Sequence, residues 1–434
     1  MKLLILCNDF PPLNSIGAQR PYSWYKHLRE FGIEPVVITK NWKGHSSTPV
    51  DVLRNAGDKN VAVEKTEYGT VVRVPFETTP SERMLLRHGP HTRRYERKGY
   101  TLSYRLASFF SARFDAHRHI LNEADKYLSE NHVDGIITTG EPFILFRYCY
   151  LLHNKHRLPW IADYRDGWKL NYVRRRLRDP LNLFQTWYEF QFEKRYVRTA
   201  ACITTIDPIL AASLADLHRK PVEVVYNGFD GFYDGPRESP SPGVPLVINH
   251  TGTLTPGQRV ETLLQAVKEL LAEHKIQSRE ISLRFIGLDY FPDQCERVKR
   301  FDPTVATCIE TTPRIPRADV LRMNCGADYQ VTFTEETFKM INAKTYDYLA
   351  VRRPVLIVPG DGSILTKLID DLQAGESLNT VAEVKSFIHQ AVERKRKGLV
   401  IAPYPLREEA ALFYTRRQQA KRLADVVRKY FAVP

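Results

Sequence analysis

Short apolar runs of strand length alternate with amphipathic segments of helix length along this chain, and they do so in two successive series. In the first, residues 2–7, Val36–Thr39, Val71–Val74, Gly135–Thr139, Trp160–Asp163, Ala201–Thr205 and Val222–Tyr226 read as strands. The first strand runs into a turn-rich stretch, Pro11 to Gly17, and then a helix over Pro21–Glu30, with proline in its first turn and Gly32 past its end. A strand–turn–helix–strand order opens a parallel α/β domain. A long amphipathic helix is expected over Leu183–Arg198. Residues 231–244, rich in Pro, Gly, Ser and acids, read as a linker. The second series follows it: strand Leu246–His250, loop Gly252–Gly257, helix Val260–Glu273, strands Leu283–Ile286 and Cys308–Glu310, helix Ala318–Met323, strand Tyr329–Thr332, helix Lys344–Ala350 and strand Pro354–Val358. Arg407–Tyr430 reads as one or two terminal helices. A chain of 434 residues exceeds one ordinary core. Two α/β domains with open parallel sheets are expected, and such sheets bind ligands beyond the carboxyl ends of their strands.

The six cysteines, Cys7, Cys149, Cys202, Cys295, Cys308 and Cys325, have no paired short spacing, so reduced thiols are expected rather than a disulfide framework or a zinc site. No run approaches the length of a membrane span, and the first apolar stretch turns polar at Asn8. A soluble cytoplasmic protein is the expectation. Its charge of +13 is unevenly spread: Arg83, Arg87, Arg93, Arg94, Arg97, Lys98, Arg105, Arg113 and Arg118 form one basic region, and Arg174, Arg175, Arg176 and Arg178 a second. Between the first set stand Leu85, Leu86, Tyr95, Tyr100, Leu102, Phe109 and Phe110. Such a region suits a diphosphate-bearing acceptor or the anionic inner face of a membrane, and equally a solvated basic face.

Two segments of the second half hold residues suited to phosphate. Thr251 to Arg259 carries Gly252, which lets backbone approach a ligand, and Arg259 at a helix start, where a cation gains nothing from the helix dipole unless an anion sits there. Lys344 and Asp347 share a helix face three residues apart; the lysine suits a phosphate and the aspartate a ribose diol. An ordinary strand-to-helix turn and a surface ion pair account for the same residues. Neither Gly-x-Gly-x-x-Gly nor a Walker loop is present, which disfavours dinucleotide redox chemistry and ATP hydrolysis. No Asp-x-Asp pair or His/Cys cluster of ligand spacing is present either. In the first half, Asp163 and Asp166 flank Arg165, and one of the two acids would cap the following turn. Arg165 suits departing phosphate charge and Asp166 an acceptor hydroxyl.

The ordered set of a Tyr22–Leu28 helix behind the Pro11–Arg20 loop, Trp160-Ile161-Ala162-Asp163-Tyr164-Arg165-Asp166-Gly167-Trp168, Val225-Tyr226-Asn227-Gly228-Phe229-Asp230, Gly252-Thr253-Leu254 and Lys344-Thr345-Tyr346-Asp347-Tyr348-Leu349-Ala350 resembles the retaining, nucleotide-sugar-dependent glycosyltransferases of family 4. That family includes bacterial lipopolysaccharide, capsule and exopolysaccharide enzymes. The resemblance implies a GT-B architecture: an acceptor-binding Rossmann-like domain over 1–235, a nucleotide-sugar-binding one over 236–405, a cleft between them, and residues 406–434 bracing the first. It further implies metal-independent transfer, with retention, from a UDP-, GDP- or dTDP-sugar to a glycan or lipid-diphosphate acceptor. No permanently bound cofactor and no nucleic-acid partner are implied. Gly17, Gly252, Thr253, Arg259, Lys344, Tyr346 and Asp347 would meet the donor, and Arg165, Asp166, Arg259 and Lys344 would serve the chemistry. The sequence departs from the family where Gln258 stands at a customary lysine, Lys339 at the first of two customary glutamates, and Arg165-Asp166 at a customary histidine. Glu335 and Glu336 lie near the second gap. A same-fold epimerase or phosphorylase, a catalytically silent relative and a basic nucleic-acid-binding protein are the competing readings.

Overall fold

The first sheet is built outward from β1 (Lys2–Leu6), whose residues from Leu3 onward are sealed from solvent. Around it lie β2 (Glu34–Lys40), β3 (Ala62–Lys65), β4 (Thr70–Val74), β5 (Gly135–Thr139), β6 (Trp160–Tyr164), β7 (Cys202–Thr205) and β8 (Val222–Val224), in the order β3-β4-β2-β1-β5-β6-β7-β8. All neighbours pair in parallel except β3 and β4, a hairpin at the edge. Strands covered on both faces read as continuous apolar runs, which is why β1, β2, β5 and β6 were legible. The four residues of β3 are all exposed, and it left no such signal.

These facts come from a computed structural model that describes every residue except 45–48, 55–58, 90–91, 168–189, 236–242, 336–338, 403 and 433–434. The basic run Arg174–Arg178, Trp168, Glu336 and the first part of the helix expected over Leu183–Arg198 lie outside the described residues; the latter's end is helical over 190–197.

The first helix starts earlier than its proline suggests. Ser15 caps it, accepting a hydrogen bond from the Ala18 amide at 3.1 Å, and it runs Ile16–His27 with Pro21 inside. A helix tolerates this at the cost of one backbone bond, here to the Gly17 carbonyl. The capping side chain outweighs the proline signal, and Gly17 falls in the first turn rather than in a loop. The basic region forms three helices, Pro80–His88, Arg94–Phe110 and Arg118–Glu130.

The second sheet has the order β11-β10-β9-β12-β13-β14, all parallel: β9 (Leu246–Thr251), β10 (Ile281–Ile286), β11 (Ile309–Thr311), β12 (Tyr329–Phe333), β13 (Val355–Val358) and β14 (Gly375–Ser377). This is the 3-2-1-4-5-6 order of dinucleotide-binding folds, in which the chain reverses its direction of winding between the first and fourth strands. In the first sheet the corresponding reversal falls between β1 and β5.

By contacts the chain divides into one unit of Met1–Tyr226 with Arg416–Pro434, and another of Asn227–Thr415. The terminal helix Arg416–Phe431 belongs to the first: Leu423, Ala424, Val427 and Phe431 join a core with Leu3, Trp24 and Leu28. The second core joins Ile248, Leu264, Val267, Leu283, Val331 and Ile388. Five cysteines are buried, Cys295 is partly so, and none is in a disulfide. Among the described residues, no helix is long and apolar enough to cross a membrane.

Candidate active site

In the second unit the winding reversal falls between β9 and β12, and the loops leaving these strands hold most of the residues expected at the donor. Gly252 follows β9 with φ +86°, a conformation glycine adopts without strain, and a Cβ there would sit 3.8 Å from Lys344 Cε. Lys344 lies in the first turn of helix Ala343–Val351, which Asn342 caps through the Thr345 amide at 3.2 Å. Its Nζ donates to His250 Nε2 at 3.0 Å and to the Thr253 carbonyl at 3.4 Å. His250, on β9, is 1% exposed and donates from Nδ1 to the Val331 carbonyl at 3.0 Å. Burial, then the Lys344 charge, pulls the imidazole well below its ordinary value, so Nε2 is an acceptor. Burial also pulls the Lys344 ammonium down to about 7. Among the described residues no carboxylate lies within ion-pair distance of it. Gly252, Thr253 and Lys344 thus come together around a cation that none of the described carboxylates pairs with.

The loop from Thr253 to Gln258 is held by its carbonyls. Arg297 donates to Thr255 O at 3.1 Å and Gln258 O at 2.8 Å while pairing with Glu261 at 2.7 Å. Gln258, at the customary lysine position, is tied to the loop itself, accepting from the Thr255 amide at 3.0 Å and donating to Phe333 O at 2.9 Å. The helix that follows is Glu261–Ala272, and Val260, its N-cap, has no side-chain cap. Arg259 therefore stands one residue ahead of the cap, not in the first turn. Buried Val260 sets the helix start, and the Arg259 side chain is exposed while its amide bonds to Thr334 O at 3.3 Å.

Asp347 does not pair with Lys344. Its Oδ1 accepts from Arg317 Nη2 at 2.7 Å, and Arg317 Nη1 also binds Asp230; burial lowers the guanidinium value, and the two carboxylates together more than reverse that and raise it. Tyr346 faces the interior at 1% exposure, its ring 6.1 Å from Tyr414. Glu335 accepts a hydrogen bond from Thr255 Oγ1 and so lies over the glycine loop. Arg314 stacks on Tyr290 at 3.6 Å, close to Gly287 at the end of β10. Sequence reasoning missed His250, Arg314 and Arg317. Only His250 left a trace, a polar residue inside a buried strand.

The first unit gathers a second group at the ends of β1, β5 and β6. Arg165 donates from Nε and Nη2 to Gly140 O at 3.1 and 2.9 Å, and from Nη2 to Glu141 O at 3.0 Å. A Cβ on Gly17 would lie 2.0 Å from Arg165 Nη1 and 2.8 Å from Asp9 Oδ2. The glycine therefore makes room for Arg165. Asp9 is oriented by Asn8 Nδ2 and Ser15 Oγ, both at 2.6 Å. Asp166, partly buried, raises the carboxyl values of both Glu141 and Asp207; in each case desolvation is the larger cause. Glu141 has φ +63°, a strained conformation for a residue with a side chain. Asp163 caps no turn. Buried in β6, it takes Arg20 Nε and Nη2 at 2.9 and 2.6 Å and Thr204 Oγ1 at 2.7 Å. His153 bonds to Leu158 O and His156 to Asp125, away from this group. Among the described residues no cluster of three His, Cys, Asp or Glu side chains has metal-binding geometry.

No protein-family model matches the chain, and no curated protein matches it. Solved structures do. Sucrose-phosphate synthase from Thermosynechococcus elongatus superposes with a TM-score of 0.61 at 13% identity over 100% of both chains. The HepE protein of Anabaena, solved with UDP and glucose, superposes at 0.59 and 12% over 99% of this chain and 100% of that one. The lipopolysaccharide outer core galactosyltransferase WaaB superposes at 0.54 and 11%, over 99% of each. The likeness establishes the fold, the two-domain α/β architecture of GT-B glycosyltransferases.

Proposed function

We propose that the protein is a glycosyltransferase that moves a sugar from a nucleoside-diphosphate donor to a glycan or lipid-linked acceptor with retention. The observation that carries this is Lys344: a partly buried cation with no carboxylate partner among the described residues, at a winding reversal, beside Gly252 and a helix start without a side-chain cap. A diphosphate supplies a counter-charge, and the positive end of the Glu261–Ala272 helix dipole favours it there. Exposed Arg259 reaches the same anion. Asp347, oriented by Arg317, accepts from the ribose hydroxyls. Glu335 stands where a donor sugar would follow the phosphates. In the first unit, Arg165 offers cationic charge to the leaving group, and Asp166 with Glu141 orients the acceptor hydroxyl. The second unit is thus the donor-binding domain and the first the acceptor-binding one.

Relatives of this fold named for UDP-forming synthesis and for complexes with UDP-glucose make that donor class the first to try. Calorimetry with UDP, GDP and dTDP, followed by a transfer assay with the matching sugar nucleotides, tests the reading. Release of nucleoside diphosphate only when an acceptor is present supports transfer. Turnover of the donor alone points to an epimerase, and the absence of nucleotide binding refutes the proposal. Exposed Tyr95, Tyr100, Leu102 and Phe114 beside Arg93 and Lys98 suit contact with an anionic leaflet that presents a lipid-linked acceptor.

A further inference from the structure

A second cation, sequestered and left unused by the donor reading, stands at the carboxyl edge of the first sheet. Lys40 ends β2 and is 4% exposed. Its Nζ lies 4.4 Å from the ring centre of Phe76 and 5.6 Å from that of Trp42, two rings 5.0 Å apart. Among the described residues it has neither an ion pair nor a hydrogen-bond acceptor.

The three acids whose charges reach Lys40, namely Glu82, Asp9 and Asp115, are all engaged elsewhere. Glu82 closes a capping box with Thr79, accepting its amide at 2.7 Å. Asp9 takes Asn8 and Ser15. Asp115 takes His117 Nδ1 at 3.0 Å, Tyr148 at 2.7 Å and Tyr104 at 3.1 Å. Two aromatic faces offset only part of what dehydrating an ammonium costs. These acids reach Lys40 only at a distance, and among the described residues none pairs with it directly.

The place of Lys40 in the fold says which molecule would carry an anion to it. The β1–β2 register pairs Leu6 with Ile38, which sets Lys40 beside Asn8, and Trp42 Nε1 donates to Asn8 O at 2.8 Å. The sheet order places the end of β2 two strands from the end of β5, where Glu141 sits. At about 4.8 Å per strand that is roughly 10 Å, a span of the order of a disaccharide. We propose that Lys40, walled by Trp42 and Phe76, binds an acidic substituent of the acceptor, a phosphate or a uronate carboxylate, while the hydroxyl to be glycosylated lies by Glu141 and Asp166. This rests on the glycosyltransferase reading and narrows its acceptor to acidic saccharides.

The test titrates UDP-loaded protein with glucose 6-phosphate, glucuronate and methyl glucoside, following binding by NMR, for the wild type and for Lys40→Met, Lys40→Arg and Phe76→Ala. In the wild type at least one acidic sugar binds about tenfold or more tighter than methyl glucoside; which one tells phosphate from carboxylate. Lys40→Met abolishes the preference, Lys40→Arg keeps most of it, and Phe76→Ala weakens all three sugars. Equal binding of acidic and neutral sugars by the wild type, or an acid preference that survives in Lys40→Met, overturns the proposal. UDP affinity, read in the same samples, is unchanged in every variant. Loss of UDP binding by the wild type refutes the donor reading instead, so the two failures are distinguishable. Lys40→Met removes an unpaired buried charge and keeps the side-chain volume, so its melting temperature does not fall.

Discussion

Replacing Lys344 with methionine tests the donor site most directly, because the structure dictates the sign of three separate effects. In the free protein burial holds the ammonium down to about 7 from an ordinary 10.5. A diphosphate oxygen about 4 Å from Nζ contributes about 4 kcal/mol per unit charge at an effective dielectric of 20, enough to return the ammonium to its ordinary range. Binding must then take up a proton. At about pH 8 roughly nine-tenths of a proton is absorbed per nucleotide bound, and above that pH the affinity falls nearly tenfold per unit. The terminal phosphate of the nucleotide, which titrates near 6, is already ionised there and does not contribute.

Free-state stability follows the opposite course. The folded value lies below the unfolded one, so between them the unfolded chain holds more protons and stability rises with pH. Lys344→Met removes that slope and stabilises the free protein at neutral pH. The ceiling is about 5 kcal/mol from the displacement, reduced to roughly 1–3 kcal/mol because the side chain is partly exposed. The variant therefore melts higher without ligand and binds UDP weakly. Calorimetry in buffers of differing ionisation enthalpy measures the proton uptake, and thermal melts from pH 6 to 10 measure the slope. Wild-type binding with no proton uptake and an affinity flat across that range would falsify the role given to Lys344.

Other consequences can be checked singly. Glu141→Gln lowers transfer, and it removes an acid limb that in the wild type lies above the ordinary carboxylate range, because desolvation and Asp166 keep Glu141 protonated to higher pH; a pH–rate profile unchanged by the substitution excludes Glu141. Gly17→Ala displaces the flexible end of Arg165, not backbone, so melting is nearly preserved while turnover falls by about 10²-fold, the loss typical of one electrostatic donor. Lys395 and Asp328 form a sealed pair at 3.0 Å in the second unit, with the Val247 amide on the other Asp328 oxygen. Lys395→Met leaves that carboxylate buried alone and costs about 3–5 kcal/mol, to be read from urea melts; a loss under 1 kcal/mol contradicts the pairing.

The fold was legible because strand-length apolar runs and their spacing register burial on both faces of a parallel sheet, a property of composition along the chain. β3 escaped because an exposed edge strand carries no such pattern, and the first helix begins before its proline because the Ser15 side chain caps it. The site was legible only in part, for a related reason. Gly252, Lys344 and Asp347 are announced by loops and helix starts, which are local. Their partners are not: His250 and Lys344 are 94 positions apart, and Arg317 reaches Asp347 from 30 residues upstream. Pairing also changes what a residue offers. Asp347, read as a free ribose acceptor or the partner of Lys344, is a carboxylate already oriented by Arg317. Gly17, read as a residue close to a ligand, is the space that Arg165 needs. Lys40 carried no sequence signal whatever, since a lysine at a strand end is ordinary until the acids around it are found to be engaged elsewhere. What sequence leaves out is the pairing of charge among residues that meet only on folding, and among the described residues neither Lys40 nor Lys344 has an ion-pair partner.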